Sequence, residues 1–183
     1  KETSPAHYHI MSRIVDRQML MTPSEKECFR KLMRAVAAFS GCQVITHGIL
    51  TNHWHSLLHV PERQPVSDDE LLVRLRHLYS KLEVRGIAES LQRYRELGHD
   101  KAAEALKERY TCRMYDLSEF VKTLKQRYTQ SYNRRHSRKG TLWEERYKSV
   151  LVGGRGAILT IAAYIDLNAV RARIVEEPGD YRF

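Results

Sequence analysis

Residues 42–60 read CQVITHGILTNHWHSLLHV, and this stretch decides the fold. Residues that favour β-structure dominate both halves, which predicts two strands, Cys42 to Leu50 and His53 to Val60. Thr51 and Asn52 lie between them and form a short turn. The stretch therefore predicts a β-hairpin, and a hairpin needs further strands or helices to bury one of its faces.

The chain before the hairpin predicts one strand and one helix. Tyr8 to Val15 is rich in β-formers and alternates, imperfectly, between apolar and polar residues. A helix start follows at Thr22, with Pro23 in its first turn, and apolar residues recur at three- and four-residue spacing as far as Phe39. Gly41 is placed to close this helix.

The chain after the hairpin is mostly helical. A long helical stretch is predicted from Ser67, with a leucine stripe that includes Leu82 and a break at Gly98-His99. Three more elements are predicted beyond it: a helix from Leu117 to Tyr132, a strand from Trp143 to Val152 and a helix from Ala157 to Val170.

The order of these elements predicts the fold class. With residues of about 62–113 set aside as a helical insert, the order is β-α-β-β-α-β with one helix appended at the end. We therefore expect an α+β, ferredoxin-like domain over residues 1–183 with an antiparallel sheet. Such a fold hosts many functions, so the function has to be argued from particular residues.

Composition restricts the partners. The chain has 31 Lys and Arg against 22 Asp and Glu, a formal net charge of +9, which favours polyanionic partners. Its three cysteines form no close pair typical of a disulfide framework or a zinc knuckle, which favours a reducing compartment. No stretch approaches the roughly 18 consecutive apolar residues of a membrane span, so no membrane partner is expected.

His53 and His55 are candidate metal ligands. On a strand, residues at i and i+2 project from the same face, so the two imidazoles can bind one cation. Two imidazoles and an oxygen ligand suit transition metals, and Mn²⁺ or Mg²⁺ when a substrate phosphate completes the shell. Taken alone, such a pair is more often a pair of packing or surface histidines than a metal site, and His47 and His59 nearby could have the same role.

Tyr164 and Asn168 are candidate partners in the last predicted helix. They are four residues apart and therefore share a face, beside an apolar stripe that includes Ile161 and Ile165. A hydroxyl and an amide at that margin can point into a cleft while the helix stays docked. The alternative is a tyrosine that packs its ring and leaves its hydroxyl in water.

Several segments together resemble one family. Thr51-Asn52-His53-Trp54-His55 resembles the HUH motif, and residues 164–170 resemble the tyrosine-helix motif, of the HUH single-tyrosine transposases, including the REP-associated and insertion-sequence types. Residues 8–13, 132–136, 140–149 and 179–182 resemble other family segments, in family order. The likeness spans the chain except for about 62–113, which is longer than the usual connection. Ala169 also stands where many relatives have proline.

The resemblance implies a mechanism and its residues. His53, His55 and the amide oxygen of Asn168 would hold a divalent metal, Mg²⁺ or Mn²⁺, against the scissile phosphate. Tyr164 would be the catalytic nucleophile and form a 5′-phosphotyrosine link, and rejoining would reverse that step. The implied partners are single-stranded DNA or DNA hairpins such as REP-like repeats. We expect a monomer in preference to a homodimer, in the bacterial cytoplasm in association with the nucleoid.

A basic segment with interleaved aromatic residues is the candidate DNA-binding surface. Such a composition suits phosphate contacts and base stacking, although a run of charge can also be a merely solvated face. Arg13, Arg146 and Lys148 join it from the segments that carry the resemblance. The full set is Arg13, Lys122, Lys125, Arg127, Tyr132, Arg134, Arg135, Arg138, Lys139, Trp143, Arg146 and Lys148.

Rival interpretations remain at this stage. Tyr132 could be the nucleophile instead, because His136 follows it by one turn, although it continues an apolar stripe through Tyr128. The protein could be a domesticated, non-catalytic DNA-binding relative, or an HUH nickase of the replication or mobilisation type. A hydrolytic nuclease that activates water would share the histidines but form no covalent adduct.

Overall fold

The sheet is four-stranded and antiparallel over residues 5–183, the part of the chain that this computed structural model describes. The first four residues of the predicted domain lie outside it. The strands are β1 Ala6–Arg13, β2 Gln43–Ile49, β3 His53–Val60 and β4 Lys148–Val152. Their order across the sheet is β2-β3-β1-β4, with antiparallel pairing throughout. The predicted hairpin of residues 42–60 is thus confirmed as β2 and β3.

Seven α-helices connect and cover these strands in the described part of the chain. They are α1 Pro23–Ser40, α2 Asp68–Leu75, α3 Lys81–Glu96, α4 Asp100–Thr111, α5 Leu117–Arg135, α6 Arg155–Asp166 and α7 Asn168–Arg171, with short 3-10 turns at Val15–Arg17 and Pro178–Asp180. When α2–α4 are set aside as the insert, the β-α-β-β-α-β order with an appended helix remains. The predicted α+β, ferredoxin-like class is confirmed.

One face of the sheet packs on α1 and α5. Alternation along β3 places Trp54 and Leu58, both fully buried, on this face. The ring of Phe29 from α1 lies 5.3 Å from that of Trp54 and 4.9 Å from that of Tyr128 on α5, centroid to centroid. Burying each such aromatic side chain stabilises the fold by roughly 2–3 kcal/mol. This core fixes β3, and with it the orientation of the histidines on the opposite face.

The insert packs on the end of α1 through a second apolar cluster, to which α1 contributes Phe39. Leu71, Leu75 and Leu91 are buried there together with Tyr115, which follows α4. Tyr115 also contacts the end of α1: Gly41 has φ of +74°, and a Cβ at that position would lie 2.6 Å from the Tyr115 ring. Residues 62–113 contain 11 basic and 10 acidic residues, so nearly all of the net charge of +9 lies outside the insert.

Three predicted elements differ from the structure. The helix predicted from Ser67 is divided at residues 76–80, where Ser80 and Glu83 form a capping box that starts α3, and Leu82 is 78% exposed. The strand predicted from Trp143 is regular only over Lys148–Val152, and Trp143 itself makes an isolated bridge to Ile14. The helix predicted over 157–170 begins earlier, at Arg155, and is divided at Leu167.

Within residues 5–183, no helix combines the length and the apolar character that crossing a bilayer would require.

Candidate active site

The second face of the sheet carries α6. Ile165 on this helix is buried against Leu57 of β3 and Val152 of β4, and Ile158 and Ile161 pack around them. The apolar stripe predicted for the last helix therefore does face the sheet. It is the sheet of the same chain, and α6 lies over β2 and β3 of that sheet.

Gly48 allows α6 to come this close. It lies opposite His55 in the β2–β3 register, and a Cβ at position 48 would lie 3.2 Å from the backbone oxygen of Ile165. That distance is shorter than ordinary van der Waals contact. Because Gly48 has no side chain, α6 can approach the sheet more closely at this point than a larger residue would allow.

The two histidines of the hairpin project toward α6, as their spacing predicts. His55 is 3% exposed, His53 is half-buried, and their ring centroids are 5.2 Å apart. Nδ1 of His53 lies 2.7 Å from Oδ1 of Asn52, and Nδ1 of His55 lies 3.0 Å from Nε2 of His9. Each ring is held through Nδ1, and Nε2 of neither ring has a hydrogen-bond partner in the described part of the chain.

Tyr164 lies beside these rings. Its centroid is 5.8 Å from that of His55 and 5.9 Å from that of His9, and both contacts are edge-on. The guanidinium carbon of Arg171, on α7, lies 5.2 Å from the centroid of the Tyr164 ring. The structure therefore brings the predicted nucleophile and the predicted histidine ligands together within one chain.

His9 is a member of this group that the sequence did not reveal. It lies on β1, two residues before Met11, and Met11 pairs with His55. Side chains two residues apart on a strand share a face, so His9 joins His53 and His55 on the α6 side. The only sequence signal for His9 was its place in the alternating pattern of the first strand. That pattern does not predict which strand pairs with β1.

Burial keeps the three imidazoles neutral. It lowers the pKa of His55 to about 3, with smaller contributions from the charges of His53, His9 and Arg13. Burial also lowers the pKa of His53, aided by Arg13, and the pKa of His9. Neutral imidazoles at pH 7 present nitrogen lone pairs, which is the form that binds metal ions.

Asn168 begins α7 on the same helical segment. It is 9% exposed, and its Nδ2 is one of three buried polar side-chain atoms without a hydrogen-bond partner among the described residues. It lines a small cavity with Gly48, Asp166 and Tyr181. The unpartnered atom is the amide nitrogen, which donates hydrogen bonds and does not bind cations, and neither His53 nor His55 lines this cavity. The ligand role of Asn168 therefore stays a prediction.

The donors that the structure brings together are the two imidazoles of His53 and His55. In the described residues, no group of three or more His, Cys, Asp or Glu side chains is arranged to hold a metal ion. The Nε2 atoms of His53 and His55, which have no hydrogen-bond partner there, fit a divalent ion that takes its remaining ligands from oxygen donors such as phosphate and water.

Tyr132 lies elsewhere, in the core between α1 and α5. It is 5% exposed, its ring stacks on His136 at 4.2 Å, and burial raises the pKa of its hydroxyl. Both effects oppose a nucleophilic role. Trp143 is 6% exposed and donates from Nε1 to Oγ1 of Thr129 at 2.9 Å. Little of either ring surface is open to a DNA base.

The basic side chains fall into two groups. Several have a partner within the protein: Lys122 pairs with Glu119, Lys125 donates to the carbonyl of Glu145, Arg127 to that of Leu78, Arg138 to that of Thr141, Arg135 pairs with Glu25, and Lys148 pairs with Glu145. The side chains of Arg13, Arg134, Lys139 and Arg146 make no hydrogen bond or ion pair with any described residue. This second group is free to contact phosphates.

A groove of about 930 Å³ lies between α5 and residues 141–149. Its lining includes Lys122, Gln126, Arg146 and Tyr147. Its one strand residue, Ser149, lies opposite Ile10 of β1, whose side chain is in the core between the sheet and α5. The groove therefore opens on the α5 side of the sheet, whereas His53 and His55 project from the other side.

Comparison with known proteins identifies the family. The model of a family described as "Transposase IS200 like" matches residues 2–95 and 109–168, which is most of the chain. The residues left unmatched between these two ranges lie within α3, α4 and their connection, in the insert. No protein of curated function matches significantly.

Two solved structures resemble the chain. The structure of a REP-associated tyrosine transposase bound to a REP hairpin has 12% sequence identity and a TM-score of 0.56, over 100% of this chain and 78% of that one. A crystal structure described as a candidate transposase of Deinococcus radiodurans R1 has 12% identity and a TM-score of 0.47, over 90% of this chain and 91% of that one. The first likeness supports the fold, and the family match goes further: this chain belongs to the IS200-like transposase family.

Proposed function

We propose that this transposase nicks and rejoins single-stranded DNA at hairpin or repeat sequences through a 5′-phosphotyrosine intermediate on Tyr164. One observation carries the proposal: the Tyr164 ring lies edge-on to His55 and His9, within 6 Å, on a helix docked against its own histidine strand. The insert and the core would form one domain. A single chain contains all the proposed catalytic groups. We therefore favour a monomer over a homodimer.

His53 and His55 would hold a divalent ion, Mg²⁺ or Mn²⁺, through Nε2, and Asn168 would add its amide oxygen. When bound, such an ion polarises a non-bridging oxygen of the scissile phosphate and offsets the charge that builds up there in the transition state. His53 and His55 contribute as neutral ligands, so the ion keeps its full positive charge toward the phosphate.

The reaction exchanges one phosphate ester for another. The phenolic oxygen of Tyr164 attacks the phosphorus, the bond from phosphorus to the 3′ oxygen breaks, and the proton lost by the phenol is balanced by the one that the 3′-hydroxyl gains. The 5′ end stays attached to Tyr164. Rejoining is the reverse attack by a 3′-hydroxyl, so no nucleotide cofactor is required.

The free basic side chains would bind the strand. Arg13 stands opposite His53 in the register of β1 and β3, close to where a phosphate on the ion would lie. Arg134, Lys139 and Arg146 would contact phosphates farther along. The similarity to a transposase bound to a REP hairpin makes hairpins the first substrate to try, and the bacterial cytoplasm, near the nucleoid, the expected place of action.

The position of a radioactive or fluorescent label tests this chemistry. Hairpin oligonucleotides with randomised single-stranded flanks are incubated with Mg²⁺ or Mn²⁺ and separated on a denaturing gel. With the label at the 3′ end, the label should migrate with the protein. With the label at the 5′ end, it should appear as a free fragment that ends in a 3′-hydroxyl.

Matched variants identify the nucleophile. Tyr164→Phe should abolish the adduct, while Tyr132→Phe should retain it if the fold is kept. Cleavage without an adduct would indicate a hydrolytic nuclease. Binding without cleavage in any metal would favour the non-catalytic relative.

A further inference from the structure

We propose that His9 is a positioning residue that holds His55 as its Nδ1–H tautomer and so presents the Nε2 lone pair to the ion; this inference rests on the proposed function. Nε2 of His9 lies 3.0 Å from Nδ1 of His55, a hydrogen-bond distance. A metal-bound histidine commonly has its other ring nitrogen fixed in this way by a second residue. Here the second residue is itself an imidazole.

The neighbouring ligand shows which ring nitrogen faces the site. Nδ2 of Asn52 donates to the backbone oxygen of Arg17 at 3.2 Å, which fixes the orientation of this amide. Its Oδ1 therefore faces Nδ1 of His53, at 2.7 Å, and can only accept. A neutral His53 must then carry its proton on Nδ1, which leaves the lone pair on Nε2.

The contact between His9 and His55 allows two proton arrangements. If His9 donates from Nε2, a neutral His55 carries its own proton on Nε2 and has no lone pair for an ion there. If His55 donates from Nδ1, His9 accepts and Nε2 of His55 is free. The second arrangement gives both ligands the same tautomer, with Nδ1 turned away from the site and Nε2 turned toward it.

The place of His9 suits this acceptor role. The planes of the His9 and His55 rings are within 20° of parallel and their centroids are 5.2 Å apart, as expected for two rings joined side by side through an in-plane hydrogen bond, and His9 also packs against Tyr164. His55 is almost fully buried, so water has little access to its Nδ1. An aliphatic side chain at position 9 could fill the same volume but would leave a buried N–H without a partner.

His7 provides a matched control. It lies two residues earlier on the same face of β1 and stacks on His59 at 4.6 Å, away from the Tyr164 ring. Replacing His7 removes an imidazole from the same strand and the same face but leaves the hydrogen bond to His55 in place.

The first measurement reads the tautomer directly in the metal-free protein. Nitrogen-15 NMR of the imidazole rings at pH 8, well above the ordinary histidine pKa of about 6.5, distinguishes protonated from bare ring nitrogens. We expect the proton of His55 on Nδ1 and a bare Nε2 on His9. A proton on Nε2 of His55 would overturn the proposal.

The second measurement is the Mn²⁺ affinity of the folded protein by calorimetry, without DNA. His9→Ala should weaken binding about 10- to 100-fold, the usual effect of losing such a partner. His9→Gln can accept through its amide oxygen and should recover most of the loss, whereas His7→Ala should bind as the wild type does. Equal affinity of His9→Ala and the wild type would refute the role of His9, whereas a wild type that binds no ion would instead refute the metal site of the proposed function.

Discussion

The backbone oxygen of Ile165 lies where it would meet a Cβ at position 48, at 3.2 Å, and Ile165 is the residue that follows Tyr164. The absence of a side chain at residue 48 is therefore one determinant of where Tyr164, the proposed nucleophile, lies. Gly48 has no positive φ, so the need for glycine here comes from the close approach of the helix and not from the conformation of its own backbone.

Gly48→Ala should move α6 away from β2 and slow adduct formation. Forcing extra volume into such a contact costs about 1–3 kcal/mol, so thermal stability should fall as well. The measurement is the rate of covalent adduct formation on a hairpin oligonucleotide. Gly86→Ala is the control: a Cβ there meets nothing within 4 Å, and in helix α3 alanine should add up to about 1 kcal/mol of stability without changing the rate.

Removing Arg171 should slow the same step. The guanidinium contributes about 0.5–2 kcal/mol to holding the Tyr164 ring in place, so Arg171→Gln should misplace the phenolic oxygen and reduce the rate by up to about thirtyfold. Arg173→Gln changes the same charge two residues away, where no contact with the Tyr164 ring exists, and should leave the rate unchanged. Equal slowing by both variants would indicate a general effect of charge on DNA binding.

Glu25 should stabilise the junction of α1 and α5 through its charge. It is 5% exposed and accepts hydrogen bonds from Tyr128, Arg135 and His136. Loss of hydrogen bonds to a charged group costs about 1.5–3 kcal/mol, so Glu25→Ala should lower the free energy of unfolding in urea at pH 7 by at least that much. Glu27→Ala, on the surface of the same helix, should cost less.

The effect of Glu25 should depend on pH in one direction. Burial opposes its ionisation, but the hydrogen bonds from Arg135, His136 and Tyr128 outweigh burial and lower its pKa from the usual value of 4.5. A lowered pKa in the folded state means that the stabilisation is present above pH 4.5 and is lost as the pH falls through the folded value. The stability difference between wild type and Glu25→Gln should therefore shrink at acid pH. A constant difference from pH 7 to pH 3 would contradict this.

The free basic side chains should control the salt dependence of DNA binding. Each phosphate contact with a single strand contributes about 0.7 to the slope of log affinity against log salt, so Arg134→Ala with Lys139→Ala should reduce the slope by about 1.4. The exposed pair Arg85 and Lys101 on the neutral insert is the control, and its double alanine variant should leave the slope unchanged. A slope that does not respond to Arg134 and Lys139 would place the DNA elsewhere.

Elements with local signals could be predicted from the sequence. The hairpin follows from β-formers on both sides of a two-residue turn, and α1 from Thr22, Pro23 and Gly41 at its ends. The division between α2 and α3 also had a local signal, Ser80 with Glu83 three residues later, but the leucine periodicity obscured it. The spacing of Tyr164 and Asn168 placed both on the docked helical segment.

Contacts that depend on distant pairing could not be predicted. His9 reaches His55 only because β1 pairs with β3 in a register that places Met11 opposite His55. The residue pattern of one strand does not predict its register with another strand. Likewise, Arg135 looked like its neighbours in the basic run, but its partner Glu25 lies 110 residues earlier. The burial of Tyr132 and Trp143 has the same origin, since α1 covers both.

Under the proposed function, α6 resting on the sheet of its own chain gives each chain one catalytic tyrosine and one histidine pair. Excising a DNA segment takes two cuts, one at each end, whereas one tyrosine can carry only one 5′ end at a time. A lone chain would have to complete or reverse the first exchange before it began the second. The outcome would then depend on two times: the lifetime of the covalent link and the time that a competing 3′-hydroxyl takes to bind. If the link lasts longer, two ends are exchanged; if it is shorter, the original strand is resealed.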